Sequence, residues 1–295
     1  MWQAEWVKGE LEGSHEGLAV ELRVIQTKGD KILDQALSKI GDKGLFTKEI
    51  EGQLLKGVID LAVHSYKDLP TEQPRGLVIG ATSVREDAAD VLVSKGGRKL
   101  EELAEGAKVF TGSLRRRAQL LHWRGDLEVC DIRGNVQTRL RKFDESGAAG
   151  MVMAWAGLKR LGLEERVAER WAPRRFVPAC GQGALAVEIR EDDAAVGELV
   201  IGLNDVESAG AIRAERRVLA RLEGGCQVPI GAYAEVVGER MELVGLVSDL
   251  AGKNLIRAEG AGSLGQAVEI GEQVAEELLD RGGEEILAEI RRFKV

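Results

Sequence analysis

The chain has 295 residues, of which 44% are hydrophobic, 37 are glycine and only 5 are proline. That is enough apolar material for two or three cores rather than one. A net charge of −8 argues against a general nucleic-acid binder, which would be basic overall, but leaves room for a local basic pocket. No apolar run approaches the roughly 20 residues of a membrane span, and the opening Met1-Trp-Gln-Ala-Glu-Trp is no signal peptide. Cys130, Cys180 and Cys226 are too scattered for a disulfide framework or a metal site, so a reducing cytoplasm is the expected setting.

The first residues read as a helix already under way, with Trp2 and Trp6 one turn apart. Leu18, Val20, Leu22 and Val24 share one parity and predict a strand over 18–25. Helices are expected over 31–40 and 46–56, leading into a short strand at Leu61-Ala-Val63. Residues 77–81 form another strand, and the change in character near 82–90 suggests a crossing into a second domain. There the grammar of strand, loop and helix repeats. The expected strands are 91–93, 108–110, 128–132 and 149–154. The expected helices are 99–105, 114–123, 136–144 and 155–161, with Ser113 as a cap. A strand at 184–189, with Glu188 outward, would return the chain to the first domain. From about 206 a charged helix, three strands and two helices make a small α+β unit.

Two features suggest chemistry. Val63-His-Ser-Tyr-Lys-Asp-Leu-Pro70 puts polar groups at the end of a strand, where open α/β sheets build their sites. Asp68 beside Lys67 is the leading acid–base or cation-stabilising candidate, and His64 reads equally well as a structural histidine. Between Phe110 and Phe143, eight Lys or Arg face three acids. Arg115 and Arg116 open a helix whose dipole favours a bound anion, and Arg133 and Arg139 flank a glycine turn. Arginine forks suit carboxylates, so the set predicts a pocket for a polyanion. Phosphates, nucleic acid and polycarboxylates all remain open, and a solvated helix face is the bland alternative. Cys226, between Gly224-Gly225 and Gln227-Val-Pro, is a candidate nucleophile or attachment point, whereas Cys180-Gly-Gln-Gly183 reads as a turn or hinge.

These segments resemble the porphobilinogen deaminase (hydroxymethylbilane synthase) family. The matching stretches are Trp2-Gln-Ala, Thr27-Lys-Gly-Asp30, Lys43-Gly-Leu-Phe46, Ala62-Val-His-Ser-Tyr-Lys-Asp-Leu-Pro70, Ser113-Leu-Arg-Arg116 and Arg133-Gly-Asn-Val136. They continue with Ala156-Gly-Leu-Lys-Arg-Leu-Gly-Leu163, Pro178-Ala-Cys-Gly-Gln-Gly-Ala184 and Gly224-Gly-Cys-Gln-Val-Pro-Ile-Gly231, and so span nearly the whole chain. The resemblance implies an α/β fold of two periplasmic-binding-protein-like domains about a cleft, plus a small C-terminal α+β domain. The expected boundaries are 1–84 with 185–203, then 85–184, then 204–295. It implies head-to-tail condensation of four porphobilinogen units to hydroxymethylbilane, with release of ammonia. One covalent dipyrromethane per chain, held by Cys226, would prime the reaction. Asp68 and Lys67 are the implied catalytic residues. Ser113, Arg115, Arg116, Arg133, Arg139 and Arg160 are implied to bind the acetate and propionate groups of cofactor and growing oligopyrrole. Lys39 and Lys43 resemble a mobile loop, and Gln3 a residue at the cleft. A monomer with no nucleic-acid, membrane or metal partner is expected.

The sequence departs from the family pattern in places. The strand and Arg-x-Ser loop that usually precede Trp-Gln-Ala are not present, and a misassigned start is the expected reason, ahead of a real truncation. Such a loss would leave sheet backbone exposed. Phe110-Thr-Gly-Ser113 stands where Gly-Thr-Ser-Ser is usual, and Ala88-Ala89 where Pro-Arg is usual. The alternatives are a non-enzymatic, two-lobed binder of small anions, which needs neither Asp68 nor Cys226, and an inactive truncated homologue.

Overall fold

A computed structural model describes residues 1–27, 47–223 and 228–292. The expected helix over 31–40, Lys39, Lys43 and Cys226 lie outside them. Helix α1 (Trp2–Ser14) buries Val7 and Leu11, one turn apart, and α2 (Lys48–Leu55) buries Glu51 and Leu54. Strand β1 (Leu61–Ser65) ends in a single 3-10 turn, Tyr66–Asp68, and β2 (Leu77–Thr82) follows. The 18–25 stretch is not a strand, because the backbone of Val20 bonds to side chains of α1. Its N–H donates to Glu12 Oε1 at 2.8 Å, and its carbonyl accepts from Lys8 Nζ.

After β2 the chain builds a second sheet from β3 (Asp90–Ser94), β4 (Lys108–Phe110), β5 (Glu128–Cys130), β6 (Gly150–Ala154) and β7 (Val167–Trp171). Its helices are α3 (Leu114–Trp123), α4 (Val136–Asp144) and α5 (Trp155–Lys159). The strand order is β5-β4-β6-β3-β7. Strand β4 runs parallel to β5 and β6, and β3 runs antiparallel to β6 and β7. Both faces are covered. Leu92, Val109 and Val152 join one core, and Val91, Val93, Met151 and Met153 the other. That is why β3 and β6 read as continuous apolar runs instead of alternating. Strand β7 carries Glu169 and Arg170 and has no apolar run to betray it. The expected helix at 99–105 is only a 3-10 turn, Leu100–Glu102.

Strand β8 (Leu185–Arg190) then returns to the first sheet and inserts between β1 and β2, antiparallel to both. This central position corrects the outward placement of Glu188. The residue is fully buried, on the same face of the sheet as Ala62 and His64, and His64 Nε2 lies 3.2 Å from its carboxylate. Helix α6 (Ala194–Val200) leads to α7 (Val206–Arg221). The antiparallel sheet β9 (Ile230–Val237), β10 (Arg240–Ser248) and β11 (Leu255–Gly262) follows, then α8 (Ala267–Leu278) and α9 (Glu284–Arg292). Ala214 and Val218 of α7, with Ile270 and Val274 of α8, share its core. Among the described residues no helix is long and apolar enough to cross a membrane.

Candidate active site

The turn after β1 projects Lys67 and Asp68 toward the first turn of α3 and the start of α4. Lys67 is half-buried, and Asp68 is exposed rather than buried. Burial pulls the Lys67 ammonium down to about 8. Asp68 and Asp90 oppose that pull, and Arg116 and Arg139 add to it. Arg139 is likewise held down at about 10 by burial and by Arg116 and Arg133, against Asp68. Lys67, Asp68, Arg116 and Arg133 therefore all lie within charge reach of Arg139, and Asp68 and Arg116 also lie within reach of Lys67.

Local caps set this geometry. Ser113 Oγ accepts from the Arg116 N–H at 3.4 Å at the start of α3, as its sequence position predicts. Asn135 Oδ1 accepts from the Thr138 N–H at 2.8 Å at the start of α4. Gly134 sits at φ +121°, and a Cβ there would come within 2.7 Å of Thr138. The Arg139 Nε donates to the Gly134 carbonyl at 2.6 Å, which folds the side chain back along its own turn.

Arg115 and Arg116 behave differently. Both are buried, and both point at Asp90, which is fully buried at the head of β3. Arg115 Nη1 lies 2.8 Å from Asp90 Oδ2, and Arg116 Nη2 lies 2.7 Å from Oδ1. Arg115 also donates to the Val177 carbonyl at 2.6 Å, and Arg116 to the Val152 carbonyl at 3.2 Å. Burial opposes ionisation of Asp90, yet the two guanidinia outweigh it and hold the carboxyl down at about 2. The anion these first-turn arginines hold is thus the chain's own.

Arg160 stands apart from this group. Its Nη2 donates to the Gly183 carbonyl at 2.6 Å, and its guanidinium lies 5.6 Å from the centre of the Trp2 ring. Gln3 Nε2 donates to Ser65 Oγ at 2.7 Å, beside the Lys67 turn. Among the described residues, Lys67, Arg139 and Arg160 form no ion pair with a carboxylate. No group of three or more His, Cys, Asp or Glu among them is placed to hold a metal ion.

Residues 1–198 match a family model described as porphobilinogen deaminase, dipyromethane cofactor binding domain, and residues 209–280 match its C-terminal domain. The chain belongs to the porphobilinogen deaminase family. Porphobilinogen deaminase from Syntrophotalea carbinolica is 52% identical over 288 residues, covering 98% of this chain and 91% of that protein. The same-named protein of Moorella thermoacetica is 52% identical over 290 residues, 98% and 93% of the two chains. That of Pelobacter propionicus is 49% identical over 295 residues, 100% and 95%.

Two features of this family member escaped the sequence reading. One is Asp90, whose only signal is an acid opening an apolar strand. The other is the junction around Arg85. Arg85 pairs with fully buried Glu215 through two contacts, Nη1–Oε1 at 2.5 Å and Nη2–Oε2 at 3.2 Å. Glu215 in turn accepts from the Gly181 and Ala234 N–H groups at 2.7 and 2.8 Å. Arg85 also donates to the Gln182 carbonyl at 2.8 Å. Both crossings between the first two sheets are therefore pinned to the C-terminal unit at one place. Cys180-Gly-Gln-Gly183 is part of that knot, and a Cβ on Gly183 would come within 2.1 Å of the Glu86 carbonyl.

Proposed function

We propose that Lys67, Asp68, Arg133, Arg139 and Arg160 line the site at which this transferase condenses porphobilinogen by way of its dipyrromethane cofactor. Ser113, Arg115 and Arg116 form the wall behind it. The observation that carries this reading is that Lys67 and Arg139, which form no ion pair with a carboxylate among the described residues, lie within charge reach of the exposed Asp68 in a chain of net charge −8. An oligopyrrole brings two carboxylates per ring, and its binding would offset the burial that presses on Lys67 and Arg139. The donor set therefore fits the cofactor: Lys67, Arg139 and Arg160 would hold its acidic side chains, and Cys226 would carry it through a thioether. When bound, that group supplies a nucleophilic pyrrole carbon that is not released with product.

The role of Asp68 follows from charge. As ammonia leaves the aminomethyl group of porphobilinogen, positive charge develops on the substrate pyrrole. The Asp68 carboxylate stabilises it and accepts from the pyrrole N–H. In the open site water screens this carboxylate. A pyrrole seated over it would exclude that water and strengthen the interaction. Arg139 and Lys67 would orient the ring by its side chains, and four such units would give the linear hydroxymethylbilane.

The architecture proposed for this chemistry is two lobes of periplasmic-binding-protein type, 1–84 with 185–203 and 85–184, facing each other across the site. Residues 204–295 would form the unit that bears the cofactor. Support comes from the double crossing of the chain at β2–β3 and β7–β8. We read the protein as a cytoplasmic monomer with no nucleic-acid or membrane partner.

Asp68→Asn tests the reading. Turnover should fall by about 10²-fold or more, while mass spectrometry still finds the dipyrromethane adduct. In Cys226→Ser the adduct should vanish. Full turnover in Asp68→Asn, or an adduct that persists in Cys226→Ser, would sink the assignment.

A further inference from the structure

One buried side chain joins the Lys67 turn to the Asp90 knot. Gln182 is 1% exposed. Its Nε2 donates to the Ala88 carbonyl at 2.7 Å and to Asp90 Oδ1 at 2.8 Å. Both partners are acceptors, so the amide orientation is fixed and Oε1 must face the other way. There Oε1 accepts from Lys67 Nζ and from Arg116 Nη2, each at 3.4 Å. The backbone is equally constrained. The Gln182 N–H donates to the Ala179 carbonyl at 2.9 Å, and its own carbonyl accepts from Arg85 Nε at 2.8 Å.

We propose that Gln182 is a positioning residue, whose amide oxygen fixes the Lys67 ammonium at the rim of the oligopyrrole site without neutralising it. This rests on the reading that Lys67 serves that site. The groups acting on the ammonium are Asp68 and Asp90, which are acidic, and Arg116 and Arg139, which are basic. A carboxylate in place of the Gln182 amide would pair with Lys67 and Arg116 and compete with the substrate's own carboxylates. An apolar group there would leave the ammonium without this acceptor and free to move away from the rim along its flexible stem. A neutral acceptor, itself locked by Asp90 and Ala88, anchors the charge and leaves it available. The same oxygen ties Lys67 to Arg116, so the two cations face the site in a fixed relation.

The test uses the holoenzyme and three variants, Gln182→Met, Gln182→Glu and Lys67→Met, with kcat and KM for porphobilinogen followed from pH 6 to 10. The wild type should lose kcat/KM as pH rises through about 8, where Lys67 gives up its proton. Gln182→Met removes an acceptor from the ammonium and should move that limb to lower pH. Gln182→Glu should move it up by about 1 to 3 pH units, and should raise KM several-fold because the charge is then neutralised. Lys67→Met should abolish the limb. A fall in kcat that is uniform across pH in both Gln182 variants, with the limb in place, would mean a merely structural role and overturn the inference. Unchanged kinetics in Lys67→Met would instead remove Lys67 from the site, and the inference with it. Should Gln182→Met and Gln182→Glu fail to fold, competitive acylation of Lys67, read by mass spectrometry, still decides. The comparison is with Gln182→Asn, whose shorter amide withdraws the oxygen from Lys67: faster acylation of Lys67 in Gln182→Asn than in the wild type supports the inference, and equal acylation overturns it.

Discussion

Two pairs of cations lie side by side in this protein and do opposite things. Arg115 and Arg116 close on Asp90 in a buried triad that also reaches the Val177 and Val152 carbonyls. Lys67 and Arg139 share the electrostatic surroundings of Arg116, yet among the described residues they find only neutral oxygens, on Gln182 and Gly134. The first pair has its charge matched by Asp90, although the buried Nε of each arginine has no hydrogen-bond partner, and it holds the second sheet to the loop that leaves it. Among the described residues the second pair has no carboxylate partner, an arrangement that suits an anionic ligand. An arginine-rich stretch is thus no direct count of ligand contacts. What matters is whether the chain brings its own carboxylate.

That contrast can be broken from either side, and the largest effect should come from the closed pair. Asp90→Asn leaves two buried guanidinia facing a neutral amide, and it should lower unfolding stability by about 3–5 kcal/mol in a denaturant titration. A loss under 1 kcal/mol would mean that the triad is not what holds α3 to β3. The same carboxyl sets an acid limit. Its folded pKa of about 2 lies below the ordinary value of 3.8, so its contribution is complete above 3.8 and is lost as pH falls toward 2. Linkage puts it at about 2 kcal/mol, and in Asp90→Asn the acid transition over that window should flatten.

The open pair should respond in the opposite sense. Arg139→Gln removes a cation that burial already disfavours, so thermal stability should hold or rise while KM for porphobilinogen rises about tenfold, a loss of about 1.4 kcal/mol in binding. A drop in stability with KM unchanged would make Arg139 structural. The smallest effect belongs to Ser113→Ala, which removes the α3 cap and should cost about 1 kcal/mol. If Ser113 also touches the ligand, KM will change as well, and the size of that change separates the two roles.

Much of the architecture could be read locally. Helices 114–123 and 136–144 carry their own caps in Ser113 and Asn135, and their boundaries agree with expectation. Strands β3 and β6 announce themselves as short apolar runs. The 18–25 stretch has a strand's alternation, but alternation supplies no hydrogen-bond partner, and side chains of α1 take the backbone of Val20 instead. Strand β7 lacks the alternation and pairs with β3 all the same. At the site, the Lys67–Asp68 turn and the cationic segment were legible because both are contiguous in sequence. Asp90, Gln182 and the Arg85–Glu215 pair were not, since each depends on a partner far along the chain.

The sequence by itself determined the grammar of strands and helices, the caps, the family motifs and the excess of positive charge between Phe110 and Phe143. All of these follow from interactions within a few residues or from simple counting. Only the tertiary structure decided which charges are available. Strand β8 enters between β1 and β2, which turns Glu188 inward beside His64. The return through residues 172–184 carries Gln182 to Asp90 and Lys67. Burial and ion pairing depend on what is brought from a distance, and this sequence does not write that distance locally.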